Sequence, residues 1–165
     1  VGEIARQVRD VKRPGTIVVA SLHWGENWDY DIPTAQRVFA HRLIDEAGLD
    51  VVHGHSSHHP KAIEVYRGRL VLYGCGDLLN DYEGIEAYEG FPRDLALMYF
   101  ASLDSRTGSL VRLRMTPTKV GRLSLRRASR QEARRLHEIL NREGAAFGTR
   151  VRLDNNTLTL KGGPG

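Results

Sequence analysis

Thr16-Ile17-Val18-Val19-Ala20-Ser21-Leu22, running directly into His23-Trp24-Gly25-Glu26-Asn27, is the stretch that decides the fold class. The first seven residues are almost all β-branched or apolar, as a strand buried on both faces of a sheet requires. The apolar run ends at a polar cluster, so His23 stands at the C-terminal mouth of the strand. Open α/β sheets bind their ligands there. Upstream, Glu3 to Val11 forms a short helix stopped by Pro14-Gly15. Downstream, Pro33 opens a helix in which Ala35, Val38, Phe39, Leu43 and Ala47 recur at three- and four-residue spacing, with Gly48 as the stop. Leu49-Asp50-Val51-Val52 then reads as a second strand, ending in the loop His53-Gly54-His55-Ser56-Ser57-His58-His59-Pro60. The same strand-then-polar-loop arrangement therefore occurs twice, and both ends carry histidine.

The rest of the chain turns toward β structure. Ile63 to Tyr66 and Arg69 to Tyr73 flank Arg67-Gly68 as a hairpin. Strands are expected at Leu95 to Leu103, Leu110 to Met115 and Lys119 to Leu125, and a closing hairpin turns at Asp154-Asn155-Asn156. Ser129-Arg130-Gln131-Glu132 matches a capping box for a helix reaching about Asn141.

At 165 residues the chain suits one domain. No stretch approaches the roughly 20 apolar residues that cross a bilayer, so no transmembrane segment is expected. Val1-Gly2-Glu3-Ile4 shows neither a starting Met nor a signal-peptide layout and reads as the interior of a longer chain. Cys75 is the one cysteine, which excludes an internal disulfide and a thiolate metal cluster. The net charge of +4 is unevenly spread: thirteen Lys/Arg against three Glu lie between Arg106 and Arg152. Such a basic segment attracts polyanions, although most charge runs are simply solvated surface. Aromatic residues for base stacking are not interleaved with it, which argues against nucleic acid.

Four of the seven histidines fall between positions 53 and 59. Neutral imidazole ligates zinc, manganese and iron, and a loop containing Gly54 lets several rings turn toward one ion. His23, His55 and His58 are the candidate metal ligands. His53 and His59 are candidates for proton transfer or for solvated positions. Trp24, Gly25, Asn27, Gly54, Asp77, Asn80 and Asp81 are candidates to line the site, the last three from an Asp/Asn-rich turn that backbone hydrogen bonding also explains. Cys75 reads as a small buried residue. Three histidines do not complete a two-metal hydrolytic centre, which also needs anionic oxygen ligands.

These motifs, in this order, resemble the capsule-synthesis CapA proteins of the calcineurin-like metallophosphatase superfamily. Ser21-Leu22-His23-Trp24-Gly25 is similar to that family's strand ending in His-Trp-Gly. Leu43 to His55 is similar to its next helix, strand and Gly-His motif, His58 falls at its second histidine, and Ile63 to Tyr66 and Leu72 to Asp77 continue the match. Asn27 stands where the family has Glu, Gly76-Asp77 where it has Gly-Asn, and the superfamily's N-terminal Asp and Asn-His motifs have no counterpart. The resemblance implies the C-terminal portion of a four-layer α/β/β/α sandwich, completed by the N-terminal part of the same domain. It implies a role in making poly-gamma-glutamate, one or two divalent ions (manganese, iron or zinc), an anionic polymer or phosphorylated substrate, and a place at the cell envelope for the intact protein. The alternative is a component that binds an anionic polymer without catalysis.

Overall fold

The computed structural model describes residues 1–79, 91–92, 94–121 and 124–161. The elements run α1 (Gly2–Val11), β1 (Val19–His23), α2 (Thr34–Asp45), β2 (Val51–His55), β3 (Ile63–Tyr66), β4 (Arg69–Leu72), β5 (Leu95–Leu103), β6 (Leu110–Gly121), β7 (Ser124–Arg127), α3 (Arg130–Gly144), β8 (Arg152–Asp154) and β9 (Thr157–Lys161). A one-turn 3-10 helix at Ala145–Phe147 follows α3. None of the described helices is long and apolar enough to cross a membrane.

Two sheets result. The first has the order β1-β2-β4-β3, parallel from β1 through β4, with β3 returning antiparallel. The turn joining β3 to β4 places Arg67 and Gly68 at φ 48° and 75°, the positive values of a hairpin turn matched to strand twist. The second sheet is antiparallel, in the order β5-β6-β9-β8, with β7 paired to the far end of β6. Its last hairpin turns through Asn155 and Asn156, both at positive φ.

Strand alternation divides the first sheet's side chains between two cores. Val52, Val71 and Tyr73 pack against Ala5 and Val8 of α1 and Ala40, Leu43 and Ile44 of α2. On the opposite face, Val51, Ile63, Leu70 and Leu72 meet Leu97, Leu113, Met115, Leu158 and Leu160 of the second sheet, with Leu136 and Leu140 of α3. The described residues thus build a mixed α/β fold with one helical layer on the first sheet and the second sheet behind it. No described helix lies on the outer face of the second sheet, so four layers are not what these residues build by themselves.

Four elements differ from expectation. β1 begins at Val19 rather than Thr16, because the Val18 N–H donates to Asp50 Oδ2 at 2.9 Å while Asp50 N–H donates to the Val18 carbonyl at 2.9 Å. β2 does not stop at Val52 but continues through His55. β6 is one twelve-residue strand where two were expected. Pro117 is tolerated within it because its nitrogen faces away from β5 into the gap between Met115, the last residue paired to β9, and Thr118, the first paired to β7, where no ladder N–H is needed; its carbonyl on that side accepts from Ala128 N–H at 3.0 Å. The capping box at Ser129 forms as expected, with Ser129 N–H donating to Glu132 Oε2 at 2.6 Å and Glu132 N–H to Ser129 Oγ at 3.3 Å. α3 nevertheless extends past Asn141 to Gly144.

Asp50 is 1% exposed and anchors the end of the sheet opposite the histidines. Its carboxylate accepts from Lys12 Nζ at 2.9 and 3.0 Å as well as from Val18. Removing one partner of a buried pair leaves the others desolvated and unpaired. Asp50→Ala is therefore expected to cost about 3 kcal/mol in chemical denaturation; a loss under about 1 kcal/mol would show that the clamp contributes little.

Candidate functional site

β1 and β2 run parallel with His23 opposite His55 and Ser21 opposite His53 in register. Period-two alternation then puts all four side chains on one face, at the C-terminal ends of adjacent strands. The His23 and His55 rings lie edge to face, centroids 5.3 Å apart, and His53 follows at 5.8 Å from His55. Ser21 Oγ is 3.1 Å from His53 Nδ1. Burial, with the nearby His55 ring second, pushes the His53 pKa down, so its neutral, proton-accepting form prevails at neutral pH.

Gly54 faces the other way and sets the pair in place. A Cβ there would lie 2.2 Å from Trp24 Nε1, 2.6 Å from the Tyr73 carbonyl oxygen and 2.7 Å from that of Leu72. Without it, the Trp24 indole crosses β2, donates to the Tyr73 carbonyl at 3.0 Å and stacks on the Tyr73 ring at 6.0 Å. Trp24 N–H also donates to the His55 carbonyl at 3.0 Å, which carries the strand pairing one residue past His23. The following loops are tied together where Ser56 Oγ donates to the Gly25 carbonyl (2.9 Å) and His58 N–H to the Asn27 carbonyl (3.1 Å). Ser56 sits at φ 124°, a backbone strain that its side-chain bond helps to offset.

His58 takes a different position. Its Nδ1 is 2.7 Å from Asp77 Oδ2 and its ring lies 5.1 Å from that of Trp28. With Nδ1 committed to the carboxylate, any metal ligation by His58 would pass through Nε2. His59 is fully buried among Tyr30, Phe91 and Trp28, at ring distances of 4.5, 4.5 and 6.1 Å. Its Nδ1–H donates to the Pro60 carbonyl at 3.3 Å, and Nε2 is buried with no hydrogen-bond partner among the described residues. Burial lowers its pKa to about 4, which makes it a neutral core ring at pH 7. Cys75 is likewise buried, its thiol pushed up to about 12 and so unreactive as a thiolate. Asn80 and Asp81 lie outside the described residues.

Two imidazoles side by side fit part of a divalent-ion site. The described residues do not complete one, since no three of their His, Cys, Asp or Glu groups converge at one point. No step of chemistry can be derived through a metal on these residues alone.

Other polar groups at and behind this face had no clear signal in the sequence. Ser21 becomes visible only through the β1–β2 register. Glu64, within an apolar strand, is 4% exposed and accepts from Tyr73 Oη at 2.7 Å and Arg37 at 3.3 Å, with His41 Nε2 at 3.0 Å. Lys61 is 2% exposed and donates to the Asp31 carbonyl at 3.0 Å, which pins the loop carrying Trp28 and Tyr30.

The His59 shift carries a stability consequence. A folded pKa near 4 against about 6.5 unfolded means that the unfolded chain takes up a proton first as pH falls. The contribution is whole above about pH 6.5 and is lost between there and about pH 4, to the extent of about 3 kcal/mol. Urea denaturation at pH 7 and pH 4.5 is expected to show this loss, and His59→Phe should flatten it. An unchanged pH dependence in His59→Phe would assign the acid sensitivity to other groups.

Comparison with known proteins bears on the first half of the chain and beyond. The family model described as bacterial capsule synthesis protein PGA_cap matches residues 1–82, which include every histidine discussed above and Asp77. A probable polyglutamine synthesis accessory protein of Mycobacterium tuberculosis is 49% identical over 149 residues, 90% of this chain and 39% of that protein. The PGA biosynthesis protein CapA of Bacillus subtilis is 32% identical over 113 residues, 68% of this chain and 27% of that protein. The capsule biosynthesis protein CapA of Bacillus anthracis is 28% identical over 113 residues, 65% of this chain and 26% of that protein. The chain spans about two fifths or less of the length of these relatives.

Proposed function

This chain belongs to the PGA_cap family of bacterial capsule synthesis proteins, and we propose that it takes part in making a poly-gamma-glutamate-type polymer by contributing part of a metal-dependent, hydrolase-like site. The observation that supports this reading is the His23–His55 pair, ring centroids 5.3 Å apart at the mouths of adjacent strands and within the region the family model matches. In this reading the missing ligands, a carboxylate among them, come from the N-terminal part of the same domain. His58 joins through Nε2, oriented by Asp77. One or two manganese, iron or zinc ions held there would polarise a phosphoryl or acyl oxygen and lower the pKa of bound water.

The remaining roles fall to the chain's own groups. His53, neutral and 3.1 Å from Ser21 Oγ, is the better placed of the two proton-transfer candidates, because it shares a face with His23 and His55. His59 is walled in by aromatic rings and serves the core. Trp24, seated over Gly54, holds the first histidine level with the second.

A second reading is a non-catalytic component that holds an anionic polymer. It draws on exposed arginines that have no acidic partner among the described residues. Arg126 is not one of these, since it bonds Glu132 at 3.1 Å. Arg134 and Arg135 share a cavity of about 570 Å³ with Asp94, Glu132 and Glu138, so acidic groups temper their charge.

Elemental mass spectrometry on chelator-free full-length protein tests the metal reading. Near-stoichiometric manganese, iron or zinc is expected, and either His23→Ala or His55→Ala should remove it while the fold is kept. A well-folded full-length protein that stays empty when offered these metals would overturn the reading.

A further inference from the structure

The outer face of the second sheet carries a pattern that the histidine site does not use. In β6, Arg112 and Arg114 are two residues apart and point away from the buried Leu113 and Met115. Arg114 pairs in register with Phe100 of β5 on one side and Thr159 of β9 on the other, and Thr159 pairs with Arg152 of β8. Phe100, Arg114, Thr159 and Arg152 therefore form one row across four strands. The next row holds Ser102 beside Arg112. Farther along β6, Thr118 pairs with Arg127 of β7 on the same side, whereas Arg126, one residue off, points inward to Glu132.

Arg112, Arg114, Arg127 and Arg152 are all exposed, and none has an ion pair among the described residues. Arg114 rests its guanidinium 6.0 Å from the Phe100 ring centroid, which holds the head group on the face. An acidic residue, Asp154, stands at the border, two residues beyond Arg152 on β8.

We infer that this face is a docking surface for an extended polycarboxylate chain. Sheet geometry fixes the spacing. Guanidinium-bearing positions repeat at about 6.7 Å along β6 and about 9.6 Å from β6 across β9 to β8. A flat lattice of this kind meets an extended polymer at several points at once. Arginine's planar fork matches carboxylate in a bidentate manner, and the Thr159 and Ser102 hydroxyls stand between the cations as neutral donors. A nucleic acid is the poorer occupant, because Phe100 lies next to Arg114 and no other aromatic ring for successive base stacking stands on this face among the described residues. This inference rests on the polymer-handling reading and is independent of the histidine pair.

The test uses full-length protein and fluorescently labelled polyglutamate in anisotropy titrations at two salt concentrations. Single-stranded DNA of equal charge is the competing probe. Saturable, salt-sensitive binding of polyglutamate is expected, weakened by roughly tenfold or more in R112E/R114E/R152E, since three favourable contacts become repulsive. Arg106→Glu, an exposed reversal elsewhere, should bind as the parent does. A triple variant that binds like the parent would show that the face is covered or idle. DNA binding as tight as polyglutamate and equally sensitive to the triple reversal would reduce the face to a general polyanion surface. Parent protein that binds no polyglutamate would remove the polymer-handling reading itself, while the metal content of the same preparation would still report separately on the histidines.

Discussion

The arrangement depends on an absence of atoms. At residue 54 the backbone of β2 has to pass beneath the Trp24 indole with no room for a methyl group, since a Cβ would stand 2.2 Å from Nε1. Glycine is what allows the ring to lie across the strand, reach the Tyr73 carbonyl and stack on the Tyr73 ring. The indole in turn holds the end of β1 against β2 one residue beyond the last paired histidines. The strand register then does the rest: in parallel strands a fixed register fixes every side-chain pair, and a one-residue slip would send His23 and His55 to opposite faces.

The polar groups around this frame are satisfied in a way that stiffens it. Asp50 ties α1, the approach to β1 and the start of β2 at one end of the sheet. Glu64 gathers Tyr73 and Arg37 behind the other, with His41 beside it. The same Tyr73 stacks with Trp24 through its ring and accepts from it through its carbonyl, so the buried carboxylate lies one residue from the histidine support. Networks of this kind are costly when half made and rigid when complete. The outer face of the second sheet has the opposite character: its arginines are solvated and without acidic partners among the described residues, and that difference separates scaffold from surface.

Much of this was legible in the residues. The apolar run into His23 marked the strand mouth, helical periodicity marked α2, and Ser129 with Glu132 marked the start of α3. The dense histidines after Val52 marked the site but disguised their own setting. Polar residues after a short apolar run read as a loop, yet β2 carries its pairing through His55 because its neighbour β1 does the same. That is a tertiary fact, invisible to local pattern. The break expected between Met115 and Lys119 is absent for the same kind of reason, since β5 pairs with β6 continuously from Leu113 to Lys119. His58 and His59 are adjacent in sequence, the first read as a metal ligand and the second as a proton-transfer or solvated position. Only packing separates them, one ring bound to a carboxylate and the other enclosed by aromatic side chains.

The central claim is that strand register, fixed by the Trp24–Gly54 contact, places the His23 and His55 rings side by side and keeps His59 apart from them. Proton NMR of the imidazole rings tests it most directly, with resonances assigned by single substitutions. The account predicts a nuclear Overhauser contact between the His23 and His55 ring protons, and contacts from His59 to Tyr30 and Phe91 in place of either. A His23 ring that shows no contact with His55, or that contacts His59, would contradict the register on which the candidate site rests.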